Sequence, residues 1–399
     1  MHGLDYFAFL LTGDTSIPFA MLLVFGSAKL LAEICERFGQ PGIVGEILAG
    51  VLIGPSVLGW LAPNDFLAAM ANMGAMFLLF RVGLEVKSSE LMRVGGTATL
   101  VATAGVIAPF LLGWGILLLW GASQIEAIFI GATMVATSVG ITAQVLASRG
   151  LLGERSSQVI LAAAVIDDVQ GLLVLAVVSS MARGKFNLAD ILLTATLAIG
   201  FTVVLTIWGG KAMGKVVNRA QGNMHVAEAE FAISLVLLFA LSLLAVYVGV
   251  AAIVGAFLAG MALAEHVEPR VHDLAHGVSE LMVPFFLVGI GLHVDLRIFA
   301  TPSVLMLALV VLLAAVATKL VACGLAAWRL GRVDALRVGL GMVPRGEVGM
   351  VVAQIGLSLG AIHQQTYAVA VFMAVATTIL APPLIRIAYR DAGRPATAC

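Results

Sequence analysis

Apolar runs separated by brief polar punctuation fill the sequence, at 17–37, 42–60, 66–86, 95–120, 124–148, 155–181, 189–217, 227–248, 250–265, 273–293, 300–328, 334–357 and 366–389, thirteen in all. A helix needs about 20 residues to cross a hydrocarbon core of roughly 30 Å, and within lipid every backbone N–H and C=O must be satisfied by the protein itself. The pattern predicts an all-α polytopic membrane protein of thirteen transmembrane helices. Composition agrees: 61% of side chains are apolar and only 11% are charged, against about 25% charged in soluble domains. Met1–Ser16 holds Asp5 and Asp14 but no Lys or Arg, so it does not read as a secretory signal.

Cytoplasmic loops collect Lys and Arg. With the N-terminus outside, only Arg183, Lys185 and Arg297 fall on the outer side, and Arg81, Lys319 and Arg345 lie within spans; the remaining basic residues of the 22 all fall on the inner side. The expected orientation is N-terminus out and C-terminus in. The connecting stretches are short and leave no room for a soluble catalytic or regulatory domain. A formal net charge of −1 offers no basic excess for a phosphate backbone, which argues against nucleic-acid binding. Cys35, Cys323 and Cys399 show neither CxxC nor Cys/His spacing, so neither a disulfide framework nor a zinc site is expected.

The chain repeats itself. Gly45–Gly50 reads GEILAG and Gly255–Gly260 reads GAFLAG; some thirty residues on, Phe77–Lys87 reads FLLFRVGLEVK and Phe285–Asp295 reads FFLVGIGLHVD. These are spans two and three against nine and ten, and an odd offset of seven spans turns the second copy upside down. Inverted repeats characterise secondary transporters, whose sites lie near the midplane at the repeat interface. The same offset couples span five to span twelve. Span five centres on Thr133, Thr137, Ser138, Gly140 and Thr142, and span twelve on Gly339, Gly341, Pro344, Arg345, Gly346, Glu347 and Gly349. Proline removes a helical hydrogen bond and glycine tolerates unwinding, so both helices are expected to break mid-membrane and cross.

Asp167 and Asp168 stand at the middle of span six. A carboxylate there costs several kcal/mol unless it is paired or faces water. Successive helical residues point about 100° apart, so the two acids take different partners. Lys319, in span eleven, is the one lysine placed deep in a span; Arg345 and Glu347 are positioned to neutralise each other or the ends of broken helices. The expectation is one aspartate paired with Lys319 and the other facing a cavity. A static network is the alternative, but buried ion pairs add little stability over apolar substitutes. Ionised, Asp168 offers hard oxygen ligands to a monovalent cation, helped by the hydroxyls of Thr137 and Ser138; protonated, it holds none. Cation and proton then compete, and a second titrating group at Lys319 makes the exchange electrogenic.

The sequence from Gln40 to Pro55, the Ile166-Asp167-Asp168-Val169 run and Pro344-Arg345-Gly346-Glu347-Val348 together resemble bacterial monovalent cation:proton antiporters of the second cation:proton antiporter family, and the Asp-Asp pair with a later membrane lysine resembles its electrogenic sodium/proton exchangers. The resemblance implies a homodimer in the cytoplasmic membrane, contacting lipid, with no cofactor and no enzyme activity. It implies an elevator-like mechanism in which a core part, about 66–181 and 273–390, moves past a dimerisation part, about 17–60 and 189–266. By motif Asp168 is the ion-binding carboxylate, Asp167 the partner of Lys319, Thr137 part of the unwound crossing, and Arg345 and Glu347 the charges of the second broken helix. Potassium/proton relatives carry glutamine for the first acid and a large cytosolic nucleotide-binding domain; departure on both points favours sodium, or lithium, as the cargo. A potassium/proton antiporter and a pH-gated channel are the competing readings.

Other patterns carry less. Gly209, Gly214 and Lys215 match GxxxxGK, but Val216 stands where Ser or Thr is required, so this reads as a basic helix end. His272 and His276 are read as solvated loop residues, which together with His225 and His266 contribute to pH response. Arg81 and Glu85 are one turn apart and expected to pair.

Overall fold

The computed structural model describes residues 16–182, 188–221 and 228–390, and all regular structure within them is helical. In chain order the helices are α1 (Ser16–Arg37), α2 (Gly42–Ile53), α3 (Asp65–Leu84), α4 (Ser88–Leu119), α5 (Gln124–Thr133), α6 (Val139–Ala147), α7 (Arg155–Ala182), α8 (Leu188–Gln221), α9 (Ala229–Tyr247), α10 (Ala252–Leu263), α11 (Pro269–Leu292), α12 (Pro302–Thr318), α13 (Arg332–Gly341), α14 (Glu347–Ser358) and α15 (Gln364–Ala388). Past Thr318, α12 runs on through a π-turn, Lys319–Cys323, to Ala326. Among the described residues nine helices are long and apolar enough to cross a membrane, and the protein is a multi-pass membrane protein.

Each predicted apolar segment holds helix, with differences that local chemistry explains. The second and ninth segments shrink to the 12 residues of α2 and of α10. Gly54 and Pro55 follow α2 directly, and the residue before a proline is pushed out of the α region. Segments five and twelve each contain two helices, α5 with α6 and α13 with α14, separated by the breaks 134–138 and 342–346. His272 and His276, expected in a loop, lie on α11. Pro269 at the first helical position starts that helix early, since its fixed φ suits a first turn and its missing N–H costs nothing there. Arg183, Lys185, His225, Arg394, Cys399 and residues 1–15 lie outside the described residues.

The repeat has a structural meaning. Gly50 of α2 packs on the backbone of Val288 and Gly291 in α11, while Gly260 of α10 packs on Phe80 and Gly83 in α3. Gly50 matches Gly260 in the repeated strings, and Gly83 matches Gly291, so the second span of each copy crosses the third span of the other, glycine against glycine. Gly45 and Gly255, also matched, seat α2 on Leu31 of α1 and α10 on Leu241 of α9. A Cβ at any of these positions would overlap backbone. Gly291→Ala is therefore expected to cost about 1–3 kcal/mol through overpacking, read as a lowered melting temperature of the purified protein.

Buried side chains sort into groups. One joins α1, α2, α3 and α11, another α3, α9, α10 and α11, and a third α4, α5, α7, α12, α14 and α15. The largest group joins α2, α3, α10 and α11 to α4, α6, α7, α13 and α15. The glycine crossings seal α3 onto α10 and α11 onto α2.

Candidate ion-binding site

The two broken helices cross at their breaks and hold each other there. The Ser138 amide donates to Pro344 O at 2.8 Å, and the Thr142 hydroxyl to Gly341 O at 2.7 Å. Breaking a helix strands carbonyls at one end and amides at the other. At the end of α5, Val135 and Ala136 carbonyls accept from Arg345 Nη1 at 3.0 and 3.3 Å. Nη2 of the same guanidinium reaches Ala315 O in α12 at 3.3 Å, and the Arg345 amide donates to Thr377 Oγ1 at 3.0 Å. Arg345 is fully buried. Its cation sits where the carbonyl dipoles of α5 end, the favourable sign for a helix C-terminus. Arg345 thus caps the first broken helix from within the second. The Glu347 side chain lies outside the described part of the structure; its backbone opens α14.

The opposite end of that break carries the opposite charge. The Thr137 amide, which leads into α6, donates to Asp167 Oδ2 at 2.9 Å. The other oxygen of Asp167 accepts from Lys319 Nζ at 3.1 Å, and both side chains of this pair are 0% exposed. Asp167 is thus shared between a helix-end amide and a buried ammonium. Asp168, the next residue on α7, is 3% exposed, and Thr137 and Ser138 are buried beside the break. The Thr137 hydroxyl has no hydrogen-bond partner among the described residues.

Arg345→Lys keeps the charge but not the fork that spans three carbonyls. With hydrogen bonds to charged groups worth about 1.5–3 kcal/mol each, the substitution is expected to lower the melting temperature clearly; an unchanged melt would show the cap to be dispensable.

A cavity of about 740 Å³ opens between α1, α2, α6 and the end of α15, lined by Glu33, Glu36, Glu46, Gln144, Arg149 and Arg386 among others. Gln144 lies six residues along α6 from Ser138, about 9 Å at 1.5 Å per residue. Asp168, 3% exposed, is not among the residues that line this cavity. The cavity holds residues that sequence reasoning passed over. Glu46, 6% exposed, accepts from Lys29 Nζ at 3.1 Å; its place inside the quoted Gly45–Gly50 string was the available signal. Glu280 lies 3.8 Å from both Lys29 and Arg81, and 4.0 Å from His276. Arg81 and Glu85 stand 3.9 Å apart, so Arg81 divides its charge between two helices. Glu126, 5% exposed near the far end of α5, accepts from the Thr366 hydroxyl at 2.5 Å.

Comparison with known proteins places this geometry. The family model described as "Sodium/hydrogen exchanger, transmembrane" matches residues 21–389. The chain is 34% identical over 418 residues to the high-affinity Na(+)/H(+) antiporter NhaS3 of Synechocystis sp., covering 94% of this chain and 90% of the relative. It is 33% identical over 380 residues to the Na(+)/H(+)-K(+) antiporter GerN of Bacillus cereus, covering 93% and 96%. Its fold matches the sodium proton antiporter MjNhaP1 of Methanocaldococcus jannaschii with a TM-score of 0.64 at 20% identity, over 93% of this chain and 96% of that one. A crossing of two broken helices beside a membrane-buried acid pair, within a chain matched almost end to end, leaves one assignment: this protein belongs to the sodium/hydrogen exchanger family of transmembrane proteins.

Proposed function

We propose that the protein is a secondary transporter that exchanges sodium for protons across the bacterial cytoplasmic membrane, with cation and proton taking turns at Asp168. The observation that carries this reading is the division of labour on α7. Both oxygens of Asp167 are engaged, one by Lys319 and one by the Thr137 amide, so this acid is committed to holding the crossing together. Asp168 is then the acid that can release its proton to water and take a metal ion in its place, with Thr137 and Ser138 supplying oxygens from the unwound stretch of backbone. Lys319 couples to the exchange through Asp167.

The glycine crossings support a moving part made of α4–α7 and α12–α15, carried past a scaffold of α1–α3 and α9–α11. Burial of Asp168, with an open cavity on one side, suits one stage of such an alternating-access cycle. Glu33, Glu36, Glu46 and Glu280 outnumber Lys29, Arg149 and Arg386 in the cavity lining, which favours a cation as the species that enters. The name of one relative, a Na(+)/H(+)-K(+) antiporter, keeps potassium as the second reading.

The deciding experiment is transport by the purified protein in liposomes, with sodium, lithium and potassium compared across pH. Competition fixes the sign: acidification raises the sodium concentration needed for half-maximal exchange, by about tenfold per pH unit once the carboxyl is mostly protonated. A sodium requirement independent of pH would remove the shared site, and single-channel currents would replace the transporter with a pore.

A further inference from the structure

The wall behind Lys319 is built from α4, and at its centre stands Gly105. A Cβ placed on Gly105 would lie 2.9 Å from Lys319 Nζ, 2.9 Å from Cys323 Sγ and 3.4 Å from Lys319 Cδ. Side chains do not tolerate approaches that close, so a residue other than glycine must displace the ammonium, the thiol, or both. Both are ends of side chains; none of the three nearest atoms belongs to a backbone. The helices can therefore keep their places while the ammonium gives way.

The ammonium has little freedom to give. Lys319 is fully buried and its nitrogen is held on Asp167 at 3.1 Å. Lys319 and Cys323 open and close the π-turn at the end of α12, and the Cys323 thiol bonds back to Val101 O of α4 at 3.6 Å, one turn before Gly105. π-turns inside longer helices add a residue to one turn and concentrate at functional sites. The charged and titratable groups bearing on the ammonium are Asp167 of α7, Arg345 from the second break and Cys323. Each of the three is held by bonds of its own.

We infer that Gly105 is a positioning residue for exchange: its missing side chain leaves the slot that holds the Lys319 ammonium against Asp167. The inference rests on the proposed coupling of that pair to Asp168. Asp167 also receives the Thr137 amide at the break, so shifting the ammonium disturbs the crossing at which exchange takes place and changes how exchange depends on pH, not merely the stability of the fold.

The test measures sodium-driven proton movement against pH in liposomes for the parent, Gly105→Ala, Cys323→Ala, Gly105→Ala/Cys323→Ala and Asp168→Ala. The expected result is a half-maximal pH displaced by about one unit in Gly105→Ala, with the Cys323→Ala profile on that of the parent. The double variant stays displaced, because its added methyl group still crowds the ammonium. If Gly105→Ala does not reach the membrane intact, the double variant, relieved of one of the two crowded atoms, carries the same comparison against Cys323→Ala. Profiles of the glycine variants that superimpose on their parents overturn the inference. The Asp168→Ala arm judges the site independently: exchange persisting there would bring down the proposed function whatever the glycine variants do.

Discussion

Asp168→Ala is expected to reduce sodium-dependent dissipation of a proton gradient in everted vesicles to the level of vesicles lacking the protein. The argument is chemical. Among the acids at the crossing, Asp167 is already committed to Lys319 and to the Thr137 amide, and a hydroxyl cannot replace a carboxylate in both of its roles, anionic ligand and proton carrier. Asp168→Asn is the stricter form of the same experiment. It keeps the side-chain volume and removes only the titrating charge, so exchange should vanish while melting stays close to the parent. A clear sodium response in either variant would take Asp168 out of the mechanism.

The second large effect is expected at Lys319. Breaking a buried ion pair by deleting one partner costs about 3–5 kcal/mol, because the surviving charge is stranded without water. Lys319→Ala leaves the Asp167 carboxylate, 0% exposed, with the Thr137 amide as its remaining donor among the described residues, so the melting temperature should fall by roughly 10 °C, allowing a few degrees per kcal/mol. Sodium binding should suffer less than stability, since Lys319 touches Asp167 and not the proposed cation ligands. The charge moved per sodium should change, because a titrating group has left the cycle. Unchanged melting together with unchanged charge movement would show that the pair is a bystander. The two variants therefore separate the acid that exchanges from the acid that holds the site together.

A comparison of residues shows where the sequence was sufficient. Periodicity and length set out every apolar segment, because the bilayer imposes one length on each helix and lipid forbids unsatisfied backbone. The breaks were legible for a related reason. Pro344 and the glycines around it, like the hydroxyl-rich run from Thr133 to Thr142, are poor material for a continuous helix and good material for an unwound one. For Arg345 the sequence left two partners open. It was expected to face Glu347 two residues away or a helix end, and it spends its guanidinium on Val135, Ala136 and Ala315, partners about 210 and 30 residues distant. No local pattern encodes such a choice, since it depends on two helices meeting at their breaks. The matched glycines were visible as a repeat, but which glycine meets which is a property of the crossing.

By itself the sequence determined that the chain lives in a membrane, that it repeats, that two of its helices interrupt themselves, and that Asp167, Asp168 and Lys319 are charges set at membrane depth. These are local facts, fixed by hydrophobic length, backbone chemistry and the cost of burying a charge. Tertiary structure alone decided that Lys319 and the Thr137 amide share Asp167, that Arg345 closes the end of α5, that Glu46 is buried on Lys29, and that Gly105 leaves the ammonium its place. Each of those depends on distances between residues far apart in the chain, and such distances are set when helices pack.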